Sequence, residues 1–304
     1  MARPKPFSKP SQAKTAEPSD PPGGSKPAAG LYLVATPIGN LGDITLRALD
    51  LLRTADVVAC EDSRVTGALL ARFGISAKLL PYHDHNAEKQ RPRLLAALAQ
   101  GQVVALVSDA GTPLVSDPGY KLVRDATTAG HAVTALPGAS ALLAALGVAG
   151  LPTDRFLFAG FLDNRSKARR DDLATLAAVP ATLIFYESAP RLADSLADMA
   201  AVLGDRAAAV ARELTKLHEE VRRGGLAALA EHYRVAGPPK GEIVIVVGPP
   251  APAPRASEAE IDALLGQALD RLSLHDAAVE VADVTGESRR AIYARALALE
   301  RQRK

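Results

Sequence analysis

The sequence predicts an α/β fold in two successive domains, followed by a small helical module. Three observations point there. Short apolar, β-branched runs recur, and each reads as a strand buried on both faces. Helical patterns alternate with them, as parallel strands joined by crossover helices require. Several runs stop abruptly at small or polar residues, and ligands of open α/β sheets sit beyond the carboxyl ends of strands. The fullest case runs from Val103 to Tyr120: five apolar residues end at Ser108-Asp109, then Ala110-Gly-Thr-Pro113 and a second polar turn, Ser116-Asp-Pro-Gly119, follow before a helix starts. Small residues there let the backbone approach a ligand, and the stretch is too long for a simple connection.

Length and composition bound the rest. A chain of 304 residues suggests about two domains. Its 48% hydrophobic content is ample for full cores. A net charge of only +2 excludes a uniformly basic polyanion trap, so any basic surface is local. Cys60 is the single cysteine; it reads as a small core residue in the strand Asp56–Cys60, and a chain with one thiol fits a reducing cytosol. No apolar run reaches the roughly 18 residues of a membrane span, and the basic N-terminus lacks the apolar core of a secretory signal.

Residues 1–29 are rich in Pro, Ser, Lys and Gly, and read as a disordered, solvated leader. The first domain, 30–150, opens with the strand Leu31–Thr36. The turn Pro37-Ile-Gly-Asn-Leu-Gly-Asp43 lacks the Gly-x-Gly-x-x-Gly spacing of dinucleotide sites, so a nicotinamide enzyme is not indicated. Thr45–Thr54 is an amphipathic helix with Asp43 as candidate cap. The strand Asp56–Cys60 ends in Glu61-Asp-Ser-Arg64, charges that are costly at a buried strand end without partners or a ligand; Asp62 or Ser63 also suits a cap for the helix over Val65–Phe73. Leu79–His83 is a short third strand running into Asp84-His85-Asn86. Two imidazoles at that spacing are a weak metal signal, and hydrogen bonding near a substrate is the better reading. A helix follows to Ala99, then the central strand and its loop, and a helix to Ala129. The strand Ala132–Leu136 ends in Pro137-Gly-Ala-Ser-Ala141, where a helix N-terminus suits an anion or a carboxylate.

Gly150–Asp154 reads as a hinge into the second domain, 151–248. Its strands are Phe156–Phe161, Thr182–Tyr186, Ala207–Ala211 and Gly241–Gly248, with Leu217–Arg223 as a hairpin partner. Asn164–Arg170 is a cationic run (Arg165, Lys167, Arg169, Arg170) suited to phosphate contact. Residues 249–256 form a stiff Pro-rich linker. Residues 257–304 read as three short helices; the last, Ser288–Leu299, carries Arg289, Arg290 and Arg295 opposite an apolar face. A nucleic-acid module and a docking or dimer element both fit it.

Thr36–Asp43, Ala55–Arg64, His83–Asn86, Leu106–Pro113, Asp117–Gly119, Leu136–Gly138, Ile184–Ser188, Ala211–Lys216 and Gly241-Glu242 together resemble the tetrapyrrole methylase superfamily, and within it the branch that methylates small-subunit ribosomal RNA. Ala139 departs from the Pro-Gly-Pro that many members carry. The resemblance implies two α/β domains with a cleft between them and S-adenosylmethionine (SAM) bound there by loops matching Pro37, Ser108, Asp109, Ala110, Gly111, Thr112, Pro113, Ser140, Ala141, Tyr186, Glu213 and Leu214. It implies 2′-O-methylation of a cytidine ribose in the decoding region of 16S ribosomal RNA. A hydroxyl attacks poorly until it begins to lose its proton. Candidate bases or orienting groups are Glu61, Asp62, His83, Asp84, His85 and Glu187, with Arg64 placing phosphate. No metal is expected. The expected partners are the small ribosomal subunit and a second copy of the chain, in the cytoplasm. The runner-up is methylation of a tetrapyrrole, and a non-catalytic RNA-binding ribosome factor is the rival from another class.

Overall fold

The computed structural model describes residues 26–251 and 256–303. Residues 1–25 of the expected leader and 252–255 of the expected linker lie outside them. The ammonium of Lys26 donates to Asp56 Oδ1 at 2.7 Å.

The first sheet consists of β1 (Gly30–Val34), β2 (Val57–Cys60), β3 (Leu79–Pro81), β4 (Val103–Val107) and β5 (Val133–Leu136), in the order β3-β2-β4-β1-β5 with every pair parallel. Its helices are α1 (Leu46–Thr54), α2 (Ser63–Arg72), α3 (Ala87–Ala99), α4 (Tyr120–Thr128) and α5 (Ala141–Ala149). β4 is buried at all five positions because it is central and covered on both faces. Val103, Ala105 and Val107 pack with Leu49 and Leu52 of α1, and Val104 and Leu106 with Leu94, Leu98 and Leu122 of α3 and α4. The two-residue period of a strand separates these sets. Each large apolar side chain so buried contributes about 1.5–3 kcal/mol.

Several local expectations change. Thr45, not Asp43, caps α1, accepting from the Ala48 amide at 3.1 Å; Asp43 instead ends a short 3-10 turn capped by Asn40. Helix α2 starts at Ser63 under an Asp62 cap, two residues before the expected Val65. β3 stops at Pro81, because the Asn86 side chain takes the His83 amide at 3.0 Å and turns the chain.

The second sheet is mixed. β6 (Phe156–Phe161), β7 (Thr182–Ser188), β8 (Ala207–Arg212), β9 (Glu220–Gly225) and β10 (Glu242–Val247) lie in the order β6-β7-β10-β8-β9, and only β6 and β7 run parallel. The helices α6 (Ser166–Leu176), α7 (Leu192–Leu203) and α8 (Leu226–Ala236) cover one face; α8 is an addition to the expected elements. The other face is covered by α5, whose Leu142, Ala145 and Leu146 pack with Ile184, Ala209 and Val246. The last helix of the first segment thus completes the core of the second. The two sheets accordingly form one compact unit ending at Pro250, and a second unit starts at Ala251.

The C-terminal unit holds α9 (Glu258–Leu269), α10 (Leu274–Thr285) and α11 (Arg289–Arg303) around its own core of Ile261, Leu265, Ala277, Val281, Ile292 and Ala296. Ser257 and Ser273 cap the first two helices, and Gly286, left-handed at φ 70°, ends α10.

Candidate active site

The carboxyl ends of β1, β4 and β5 meet those of β7 and β8 and the start of β10. Antiparallel pairing brings the last two together: Glu242 lies opposite Ser188 and Ile243 opposite Arg212. Between these ends lies a cavity of about 500 Å³, a size that holds a nucleoside-sized ligand. Ile38, Ala141, Ala211, Leu214 and Val244 make its wall apolar, and Thr112, Ser140, Asp117, Tyr186 and Glu242 supply polar edges.

The loops are tied by their backbones. Thr36 and Gly111 exchange amide–carbonyl bonds at 2.9 and 3.0 Å. The Thr36 hydroxyl donates to Ser108 O at 3.1 Å, that of buried Ser108 to Gly111 O at 3.2 Å, and that of Thr112 to Ala139 O at 3.1 Å. Gly138 is required by close approach, since a Cβ there would stand 2.8 Å from that of Ala35. Among the described residues, four non-glycine residues hold positive φ, and all flank the cavity loops: Leu114 (75°), Ser116 (62°), Glu213 (50°) and Thr215 (66°). Each costs about 1–3 kcal/mol and persists only where neighbours fix it. Glu213 is fixed on three sides, its amide donating to Glu242 O at 3.0 Å and its carboxylate accepting from the Glu242 amide at 3.0 Å and Lys216 at 2.8 Å.

Of the residues expected to hold a cofactor, Ala110, Gly111, Thr112, Ser140, Ala141, Tyr186 and Leu214 line the cavity. Pro37, Ser108, Asp109, Pro113 and Glu213 are not part of its wall; of these, Ser108, Asp109 and Glu213 tie the loops by hydrogen bonds. Tyr186 is held edge-on by Phe158 and Phe161, with centroids at 4.8 and 5.5 Å. Burial raises its pKa, against a hydrogen bond with the Leu142 backbone. The wall also includes Ile38, Asp117, Phe161 and the Gly241–Val244 segment, residues that the sequence places only in motifs or in the strands.

The expected catalytic groups separate by their partners. Glu187 is buried at the end of β7, where its carboxylate accepts from Ser195 at 2.5 Å, the Ser188 amide at 2.7 Å and Arg191 Nη2 at 3.2 Å. With its oxygens so engaged, it fixes the strand end. Asp62 caps α2 and chelates Arg64 at 2.5 Å; those hydrogen bonds draw its pKa down to about 2. Arg64 is 89% exposed and projects into solvent. Glu61 is raised, by burial first and then by Asp109 and Asp84. His83 Nε2 stands 3.0 Å from Asn86 Nδ2 and so accepts from it, while Asp84 and His85 are exposed. Asp117 stands in the cavity wall with its pKa pushed up to about 6, by burial and then by the Glu61 charge. Among the described residues, no group of three or more His, Cys, Asp or Glu is arranged to hold a metal.

The cationic run divides too. Arg165 and Lys167 are exposed. Arg169 is buried and pairs with Asp198 at 2.6 Å, so it is a packing residue and not the RNA contact expected of it. Arg170, half-exposed, shares Asp198 at 2.6 Å. Burial raises the Asp198 carboxyl, but the bonds from Arg170, Ser166 and Arg169 outweigh it and leave the pKa below normal. Asp198→Ala strands a buried guanidinium and should cost about 3–5 kcal/mol, whereas Arg170→Ala should cost under about 1 kcal/mol; denaturant titration measures both. The Asp198 contribution is complete above the ordinary aspartate pKa and disappears as pH falls through the depressed folded value. In the C-terminal unit Arg289 pairs with Asp283, Arg295 with Glu258 and Asp262, and Arg290 is exposed.

Comparison with known proteins gives a consistent assignment. The family described as Tetrapyrrole (Corrin/Porphyrin) Methylases matches residues 30–230, and that described as RsmI C-terminal HTH domain matches residues 255–300. The chain is 56% identical over 270 residues to "Ribosomal RNA small subunit methyltransferase I" of Mesorhizobium japonicum, covering 88% of this chain and 92% of that protein. It is 48% identical over 273 residues to the protein of that name from Escherichia coli O157:H7, covering 88% and 94%. Among solved structures, uroporphyrin-III C-methyltransferase from Thermus thermophilus, complexed with S-adenosyl homocysteine, aligns at a TM-score of 0.51 with 25% identity over 72% of this chain and 97% of that one. Diphthine synthase shares the fold at a TM-score of 0.57 and 20% identity, covering 72% and 89%.

Proposed function

The chain belongs to the ribosomal RNA small subunit methyltransferase I family, a branch of the tetrapyrrole methylases, and from that premise we propose that it transfers a methyl group from SAM to the ribose 2′-hydroxyl of a cytidine in the 16S decoding region. The carrying observation is the cavity walled by Ala110–Thr112, Ser140, Ala141, Tyr186 and Leu214.

Its residues suit SAM. Ile38, Ala141, Ala211 and Leu214 offer an apolar bed for a purine. The first-turn amides of α5 follow Ser140, whose side chain makes no cap bond there, and they suit the amino-acid carboxylate. Gly111, at φ 81°, brings backbone rather than side chain to the wall. When bound, SAM supplies an electrophilic methyl on a sulfonium. This chain's own work is to hold the hydroxyl in line, exclude water and take up its proton.

Arg64, exposed at a strand end of the first sheet, suits an RNA phosphate, and the exposed Asp84 and His85 suit the hydroxyls of the reacting ribose. Arg165 and Lys167, exposed at the start of α6, offer further cations to RNA, and α10–Gly286–α11 has the form of a helix-turn-helix with Arg290 exposed at the start of its second helix. Arg64→Ala should keep its melting temperature and SAM affinity, and raise KM for small subunits several-fold. An unchanged KM would take Arg64 out of the RNA path.

Residues lining the cavity fit a tetrapyrrole methylase equally well, but the relatives covering almost the whole chain are named for ribosomal RNA. Methyl transfer measured side by side on small subunits and on a corrin precursor tests the proposal; transfer to the macrocycle alone would reverse it. A cytoplasmic homodimer fits this reading, and among the described residues no helix is long and apolar enough to cross a membrane.

A further inference from the structure

We infer that the ring of Phe161 is the platform on which the base of the target cytidine stacks while its ribose enters the cavity. The inference rests on the functional reading above and deepens it. Phe161 owes its direction to a β-bulge. Along the parallel pair β6–β7, Phe158 lies opposite Ile184, but Gly160 lies opposite Phe185 and Phe161 opposite Tyr186, so Ala159 is an extra residue. Successive side chains of a strand alternate between faces. An unbroken β6 would therefore turn Phe161 away from Phe158, toward the core that Phe185 shares with Leu173 and Leu196. The extra residue puts both rings on the face of Ile184 and Tyr186, and both meet Tyr186 edge-on, at 4.8 and 5.5 Å. Gly160 takes the left-handed φ of 67° that such a bulge favours. Bulges are rare in parallel pairs, and they recur beside active sites because they re-aim a side chain.

The re-aimed ring is left uncovered. Phe161 is 59% exposed, so the bulge gives up the burial that the core side of β6 offers an aromatic; a ligand that covers the ring restores it. Phe161 stands in the cavity wall but on the edge strand β6, whereas Ala211 and Leu214 of the purine bed belong to β8 and the loop after it, on the far side of β10. It is thus at the rim, and Gly160 beside it approaches the β4–α4 turn, where a Cβ would stand 3.6 Å from Ser116 Oγ. Arg165 and Lys167 follow within six residues, both exposed. An open aromatic face with cations close behind it is how unpaired RNA is held, base on ring and phosphate on cation. A ribose hydroxyl reaches a walled cavity only when its nucleotide is splayed from its neighbours, and the stacking so lost is replaced by an aromatic side chain. The occupant that fits this rim is therefore an RNA base.

The test compares wild type with Phe161→Ala, Phe161→Leu and Phe161→Tyr in methyl transfer to small ribosomal subunits, with SAM affinity by calorimetry, melting temperature, and oligomeric state by sedimentation. Phe161→Ala should raise KM for the subunits roughly 5–150-fold, the range that one base–aromatic stack is worth, with kcat changed much less. SAM affinity, melting temperature and oligomeric state should not change, because Phe158 still holds Tyr186 and an exposed ring adds little to the fold. Phe161→Leu, apolar but without a π-face, should behave as Phe161→Ala does, and Phe161→Tyr should restore the wild-type KM. A wild-type KM in Phe161→Ala, rescue by leucine, or no rescue by tyrosine would each overturn the inference. So would a fall in SAM affinity, which would make the ring part of the cofactor wall, a fall in melting temperature, which would make it a packing residue, or a change of oligomeric state, which would place it between copies of the chain. Wild type inactive on small subunits would instead overturn the functional reading beneath it.

Discussion

Gly111→Val should abolish methyl transfer by closing the cofactor cavity, with SAM affinity weakened at least about 100-fold. The reason is local. Gly111 sits at φ 81°, a conformation that a β-branched residue resists, and its backbone is committed to the two bonds with Thr36. A Cβ would stand 3.3 Å from Ile38 Cγ2, tighter than ordinary contact, so further methyl groups must push Ile38 or point into the ligand space. Gly111→Ala should do much less, adding one carbon and mild strain. Calorimetry on variants shown to be folded by their melting curves decides the matter. Unchanged SAM affinity in folded Gly111→Val would mean that the cofactor does not use this wall.

Deleting residues 251–304 should separate cofactor binding from RNA use. The cavity lies wholly in the unit ending at Pro250, and the C-terminal unit has a core of its own. The truncated protein should bind SAM as the full chain does, while affinity for small subunits falls at least roughly tenfold and becomes less sensitive to salt. Arg271, Arg289 and Arg295 are engaged in ion pairs, with Glu280, Asp283, and Glu258 and Asp262 respectively, so Arg290 and the adjoining exposed face of α11 are where the loss should concentrate. Full affinity in the truncated protein would make the unit a structural or dimer element.

The sequence is most informative where one element decides its own environment. β4 can be placed because five apolar residues end at Ser108, and its loop is recognisable as a ligand loop because Gly111, Thr112 and Pro113 suit no regular element. The same holds for α5, whose N-terminus follows Pro137-Gly138. It is least informative where partners come from afar. Arg169 and Arg170 are adjacent and chemically alike; only Asp198, on a different helix, assigns one to the interior. Glu187 reads as a base because nothing in the sequence marks Arg191 and Ser195, one and two helical turns on, as its partners. Asp117 lies in a recognisable turn, but its basicity depends on Glu61 and Asp109 from two neighbouring strands, which only the order β2-β4 brings together. The packing of α5 on the second sheet is likewise hidden, since its apolar residues fit either sheet.

The central claim is transfer of a methyl group to a ribose oxygen of ribosomal RNA. It is tested most directly by incubating the full chain with small ribosomal subunits and SAM carrying a labelled methyl, digesting the 16S RNA to nucleosides and identifying the labelled product by mass spectrometry. The account predicts label in 2′-O-methylcytidine at a single position, with none when Gly111→Val replaces the wild type. Label in a base-methylated nucleoside, or RNA left unlabelled while a tetrapyrrole acceptor is methylated, would contradict it.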